Sequence, residues 1–283
     1  MAEEDVPPGL GRLWRLPTAA PTGRPAELGV ERIVDAAVRL ADREGLGAVT
    51  LARVAKELGY TAMSLYRHVG SKDELFVLMG DAAQGPPPDV PGGSTDWREG
   101  VRRWAAALAE LAARRPWLAE LPVQGPPSGP NAVAWLDAGL RTLRDTGLDW
   151  GQKVGIVLVV SSYVRQAGSM ARQMEEGRRA SGRDQAQVER DYGRALARLV
   201  DPGRFPDAAA LFASGVFEAP PEPLEGGPPV DHDFVFGLEL ILDGVAATIA
   251  AAQARSAPAG PSPVQAPGAR VTNVPGQHIQ APP

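Results

Sequence analysis

The residues whose types and spacing suit chemistry lie between Thr50 and Lys72. Met63, Ser64, Arg67 and His68 fall on one face of a short helix whose other face is Ala62, Leu65, Tyr66 and Val69, spaced at 0, 3, 4 and 7. Ser64 can hydrogen-bond a base edge or a phosphate, Met63 can touch a thymine methyl, and Arg67 can reach guanine or phosphate. The face begins at a helix N-terminus, where backbone N–H groups favour phosphate. Tyr66, at the edge of the apolar face, can offer its hydroxyl to a DNA backbone, and Lys72 supplies a further phosphate contact. This is the chemistry of groove reading rather than of bond making.

The elements that must position these groups are also legible. Leu51, Val54, Ala55 and Leu58 form the apolar face of a preceding helix, with Thr50 as its N-cap. Gly59 and Tyr60 leave just enough chain for a tight turn, and Thr61 caps the reading helix. Two short amphipathic helices joined this way form a helix-turn-helix. The stripe Val30, Ile33, Val34, Ala37, Leu40 and Ala41, stopped by Gly45, supplies the third helix that the pair needs for burial. Ser71 caps a further helix over 72–83, with Asp73 and Glu74 in its first turn. By periodicity alone, a DNA reader and a three-helix bundle with a solvated polar face fit equally well.

Residues 1–28, rich in Pro and Gly, read as a flexible arm whose cations Arg12, Arg15 and Arg24 could track a minor groove or simply be solvated. The three-helix domain takes 29–83, and the Pro/Gly-rich break over 84–95 marks a junction. A larger helical domain fills 96–253. Its helices are marked by Trp97 to Leu111, Val133 to Arg144, Asp149 to Glu175, Arg183 to Val200 and Asp231 to Ala252. Residues 254–283 carry almost no large apolar side chains and read as a disordered tail. No segment alternates as a strand, so the fold class is all-α.

Composition narrows the function classes. With no cysteine, disulfide frameworks and thiolate metal sites are excluded. No uninterrupted apolar run is long enough to span a bilayer, and the acidic start is wrong for a signal peptide, so a cytoplasmic protein without membrane partners is expected. A net charge of −5 lowers non-specific attraction to nucleic acid without preventing one face from docking on phosphate. The three histidines are His68, His232 and His278. They offer no triad, and capping by Asp231 explains the Asp-His-Asp run more simply than a metal does. No phosphate loop, dinucleotide fingerprint or zinc-protease motif occurs, so neither an enzyme nor a cofactor is expected.

The head segment resembles the tetracycline-repressor (TetR) family of regulators. The resemblance rests on Asp42 to Gly45, Thr50, Val54-Ala55 with Leu58-Gly59, and the string Ser64-Leu65-Tyr66-Arg67-His68-Val69 followed by Lys72. Looser likeness to the family's C-terminal domain runs through Arg115 to Leu118, Gly129 to Asn131 with Trp135-Leu136, and Phe236 to Gly244. One departure is Ala52, with Arg53 beside it, at a position that is often Arg in the family. The resemblance implies that Thr61 to Lys72 lie in or beside the major groove. The contact candidates are then Thr50, Arg53, Thr61, Ala62, Met63, Ser64, Tyr66, Arg67, His68 and Lys72. It also implies a two-fold homodimer built on helices at about 151–174 and 231–252, reading an inverted-repeat operator on double-stranded DNA. Repression relieved by an unknown small molecule, through a shift of the helix at 72–83, is the implied regulation.

For that small molecule, Trp104, Trp117, Trp135, Tyr163, Met170, Met174 and Phe234 are candidate pocket walls, with Arg165 and Gln166 as orienting polar groups. Plain core packing is the other reading of the aromatic set. A tetracycline–magnesium complex is disfavoured because no histidine falls on the pocket helices. The rival functions are a helical interaction protein without DNA binding and an activator of the same fold.

Overall fold

Side-chain caps set the N-terminal helices. The computed structural model describes residues 7–16, 28–90, 97–122, 125–182, 184–218 and 232–256. Thr50 accepts from the backbone N–H of Arg53 at 3.2 Å, Thr61 from Ser64 at 3.4 Å and Ser71 from Glu74 at 3.0 Å. These caps open α3 (Leu51–Leu58), α4 (Ala62–Val69) and α5 (Lys72–Gln84), which follow α1 (Pro8–Leu13) and α2 (Val30–Glu44). Between α3 and α4 Gly59 sits in the left-handed region at φ +77°, which a side chain would resist. Ile33, Leu40, Val54, Leu65, Val69, Leu75 and Leu78 then close a first core with almost no exposure.

The body comprises α6 (Trp97–Arg114), α7 (Pro130–Thr142), α8 (Trp150–Ser181), α9 (Gln185–Leu199), α10 (Pro206–Ala213) and α11 (His232–Ser256). Its core gathers Val101, Trp104, Trp135, Leu143, Val160 and Leu242 from α6, α7, α8 and α11. Helices α9 and α10 pack mainly on each other, around Tyr192, Phe212 and Phe217 with ring centroids 5.5–5.8 Å apart. There is no strand among the described residues, and the fold is all-α with an N-terminal helix-turn-helix.

Head and body are joined by polar contacts. Asp42 of α2 accepts from the Trp117 indole at 2.7 Å and from Arg115 at 3.3 Å, and Arg115 also donates to the Ala83 carbonyl at 2.6 Å. Asp81 of α5 accepts from the Ala132 N–H at 2.9 Å and from the Asn131 amide at 3.3 Å, so α5 caps α7 from outside. Burial pushes the Asp81 carboxyl above its ordinary range, against the pull of those donors.

The expectation of an arm without structure over 1–28 needs correction. Pro8–Leu13 is a helix, with Leu13 buried and Leu10 half-buried against the head. Two leucines three residues apart give too short a periodic signal to read, and the helix is fixed by tertiary contacts. The helices at 185–199 and 232–256 lie where periodicity put them, whereas α10 carried no expectation. Residues 17–27 with Arg24, Asp231, and 257–283 with His278 lie outside the described residues.

Candidate nucleic-acid interface and adjoining cavity

The free face of α4 follows its periodicity at Leu65, Val69, Met63 and Arg67, but Tyr66, placed by spacing at the edge of the apolar face, is turned outward and His68 is partly covered. Leu65 and Val69 are sealed inward, while Met63 and Tyr66 are 69% and 47% exposed and Arg67 is exposed beside them. Two large apolar groups held in water on a cationic helix want a partner surface. Ser64 is half-buried, and its hydroxyl lies 3.0 Å from that of Thr61, so both hydroxyls sit at the α4 N-terminus where a phosphate would dock. Ala62 and His68 are half-buried at the margins. Lys72 is exposed as the first residue of α5, its ammonium 5.0 Å from the Phe76 ring centroid.

Two candidates on α3 stand apart. The Thr50 hydroxyl is occupied as a helix cap. Arg53 is exposed, yet it donates to Glu44 at 2.6 Å and would have to exchange that carboxylate for a phosphate. Both are exposed ion-pair chemistry with little energy at stake, so such an exchange is cheap.

Beneath α5 lies a cavity of about 750 Å³. This falls in the range that encloses a drug-sized molecule. Phe76 and Val77 of α5, Leu108 and Leu111 of α6, and Ser161 and Val164 of α8 wall it, together with residues from 118–122 and 125–129 and from α1. Helix α5 is thus apolar on two sides: Leu75 and Met79 are sealed in the head core, while Leu78, Phe76 and Val77 touch that core and also line the cavity.

Of the nine side chains read from sequence as pocket candidates, the structure brings only Arg165 to this cavity. Trp104 and Trp135 are core: their indoles donate to the Trp135 carbonyl at 3.1 Å and the Gly85 carbonyl at 3.0 Å. Trp117 is spent on Asp42. Tyr163 stacks on Phe234 at 5.6 Å and donates to the Phe234 carbonyl at 2.9 Å. Gln166, Met170 and Met174 are exposed farther along α8. The sequence reading missed Asp81, Phe76, Val77 and Ser161. A lone carboxylate inside the apolar run of α5 was the available signal for Asp81.

Known proteins place this arrangement. Residues 33–79 match the family model for bacterial regulatory proteins of the tetR family, and residues 89–249 match the tetracyclin repressor-like C-terminal domain. The HTH-type transcriptional repressor DrrR1 of Streptomyces coeruleorubidus is 34% identical over 257 residues, covering 90% of both chains. An HTH-type transcriptional regulator of Saccharopolyspora erythraea is 31% identical over 154 residues, 54% of this chain and 65% of its own. Among solved structures, the TetR family protein ActR of Streptomyces coelicolor in complex with actinorhodin superposes with a TM-score of 0.62 at 28% identity, covering 79% of this chain and 98% of ActR. ActR in complex with (S)-DNPA gives 0.61 at 27% identity, covering 79% of this chain and all of ActR. With a family model spanning more than half its length and a relative alike across nine-tenths of it, this chain belongs to the TetR family of helix-turn-helix transcriptional regulators.

Proposed function

We propose that this protein is a cytoplasmic homodimeric repressor that reads an inverted-repeat operator through α4 and leaves it when a small molecule fills the cavity beneath α5. One observation carries the reading: the helix that follows the reading helix is also a cavity wall. Any molecule that presses on Phe76 or Val77 presses on an element continuous with α4 across Gly70 and Ser71. A ligand with different affinity for the two positions of α5 therefore changes operator affinity.

In this reading Met63, Ser64, Tyr66 and Arg67 enter the major groove. Ala62 lies close to it, and Thr61, His68, Lys72 and, after leaving Glu44, Arg53 contact the phosphates, with Thr50 bracing the supporting helix. Arg165 orients the effector among apolar walls. The relatives support both halves: DrrR1 is a repressor, and ActR has been solved in complex with actinorhodin.

Helices α8 and α11 supply the dimer interface. Trp150, Leu158, Val159, Phe236 and Leu240 are each more than half exposed on one chain, which is costly for so many large apolar groups unless a second chain covers them. Both helices are long and apolar enough to cross a membrane by length and composition. Pairing in a four-helix bundle accounts for the same apolarity without a bilayer. No catalytic role is assigned to any residue.

Selection of random duplex DNA by the purified protein, followed by sequencing, tests the reading. The expected result is an enriched palindrome, lost on Tyr66→Ala and on Lys72→Ala. No enrichment at low salt from a folded dimer would refute operator reading.

A further inference from the structure

Helix α1 is the odd wall of the cavity. Pro7, Gly9, Leu10 and Leu13 line it from outside the helix-turn-helix, ahead of α2 in the chain. A six-residue helix has no stability of its own, so its position rests on what holds it. Two contacts do so beyond the Leu10 and Leu13 packing. The Arg12 guanidinium grips Glu74 of α5 with two parallel hydrogen bonds, Nη2 to Oε2 at 2.7 Å and Nε to Oε1. The hydrogen bond to Glu74 is the main influence raising the Arg12 pKa. Two residues later, at the C-cap, the Trp14 indole donates to the Ser128 carbonyl at 2.7 Å, and Ser128 lines another wall of the cavity.

The Glu74 carboxylate occupies a particular place. It fills the space where a Cβ on Gly70 would stand, and Gly70, at φ +68°, is the residue linking the reading helix to α5. The grip on α1 is therefore fastened at the elbow of the reading head. Arg15 turns back on the same helix, donating to the Arg12 carbonyl at 2.8 Å with Glu31 3.8 Å away. In this arrangement the cations of the segment point to the protein's own carboxylates.

We propose that α1 is a gate on the effector cavity, latched by Arg12 on Glu74 and pinned by Trp14 on Ser128. It rests on the reading of the cavity as the effector site. Release of the latch swings α1 away and opens the cavity alongside α5; closure restores the wall. Ligand entry and the posture of the α4–α5 elbow then share one ion pair, which makes the N-terminal segment part of the sensor.

The absence of cysteine gives a direct test on the full-length chain. Ser161→Cys places a single thiol on the cavity wall, and dithiobis(nitrobenzoate) is the probe that must enter to react with it. In that background Arg12→Ala should speed labelling about tenfold, because local opening governs access. Arg12→Glu should do the same, and adding Glu74→Arg should restore the slow rate by remaking the pair with its charges exchanged. An exposed thiol outside the cavity, Ser214→Cys, should label at one rate in all backgrounds, reporting unchanged probe chemistry, and unchanged circular dichroism and urea midpoints should report that the fold is intact. Equal rates at Ser161→Cys with and without the latch, or no slowing in the exchanged pair, would overturn the gate. The experiment contains no DNA, so failure of operator reading and failure of the gate are separate results.

Discussion

The head and the body solve burial differently. In the head, ten large side chains of residues 28–84 are sealed, Leu13 and Trp117 complete their core, and α3, α4 and α5 are each capped by a hydroxyl. In the body, α8 and α11 bury one face and leave Leu158 at 64% and Phe236 at 67% exposure on the other. The head covers its apolar side chains within one chain, with help from Leu13 and Trp117, whereas the body leaves an apolar face of α8 and α11 uncovered on a single chain. In the proposed dimer, that uncovered face is what would space two reading heads on one DNA.

The comparison is broken most severely at the exposed stripe. Leu158→Glu with Phe236→Glu should turn the dimer into a monomer in sedimentation. Operator affinity should then fall about 10²- to 10⁴-fold, because the second head loses its effective concentration. The single-chain fold should survive, as neither side chain is covered in it.

Leu65→Ala attacks the other side. This side chain is fully sealed in the head core, and its truncation should cost about 2–5 kcal/mol in urea denaturation, with DNA binding lost alongside. A monomeric but folded first variant and a destabilised but dimeric second one would show that the two regions are specified independently.

Smaller effects sharpen the seam. Trp117→Phe removes the indole donor to Asp42 and leaves Arg115 in place, so a loss of about 1 kcal/mol is expected in the same measurement. Smaller still is a pH effect inside the body. Hydrogen bonds from Arg102 and then Arg98 pull the Glu239 carboxyl from 4.5 down to about 2. A depressed folded-state pKa gives stability that is present above the unfolded value and lost as pH falls from about 4.5 toward 2. These groups are about a third exposed, which limits the loss to roughly 0.2–1 kcal/mol. Glu239→Gln should flatten the acid limb in that window, as followed by circular dichroism.

What was legible in the sequence follows the same division. Thr50, Thr61 and Ser71 announced their caps because capping is local, and the 0-3-4-7 spacing in α4 sorted Leu65 and Val69 from Met63 and Arg67 correctly. The cavity was not legible. Trp104 and Trp135 look like pocket walls in sequence, but their indoles are satisfied by backbone carbonyls inside the core. The walls include one side of α5, whose other side is in the head core, so its apolarity on two faces has no single stripe to read. Helix α1 escaped notice because a six-residue helix depends on Arg12 finding Glu74, 62 residues away.

In the proposed function, two copies of this chain together read one inverted repeat. The most direct test is analytical ultracentrifugation of the full-length protein on its selected duplex and on a duplex carrying one half-site. The account predicts two chains on the full site and binding at least about a hundredfold weaker on the half-site. One chain on the full duplex, or equal affinity for both duplexes, would contradict it.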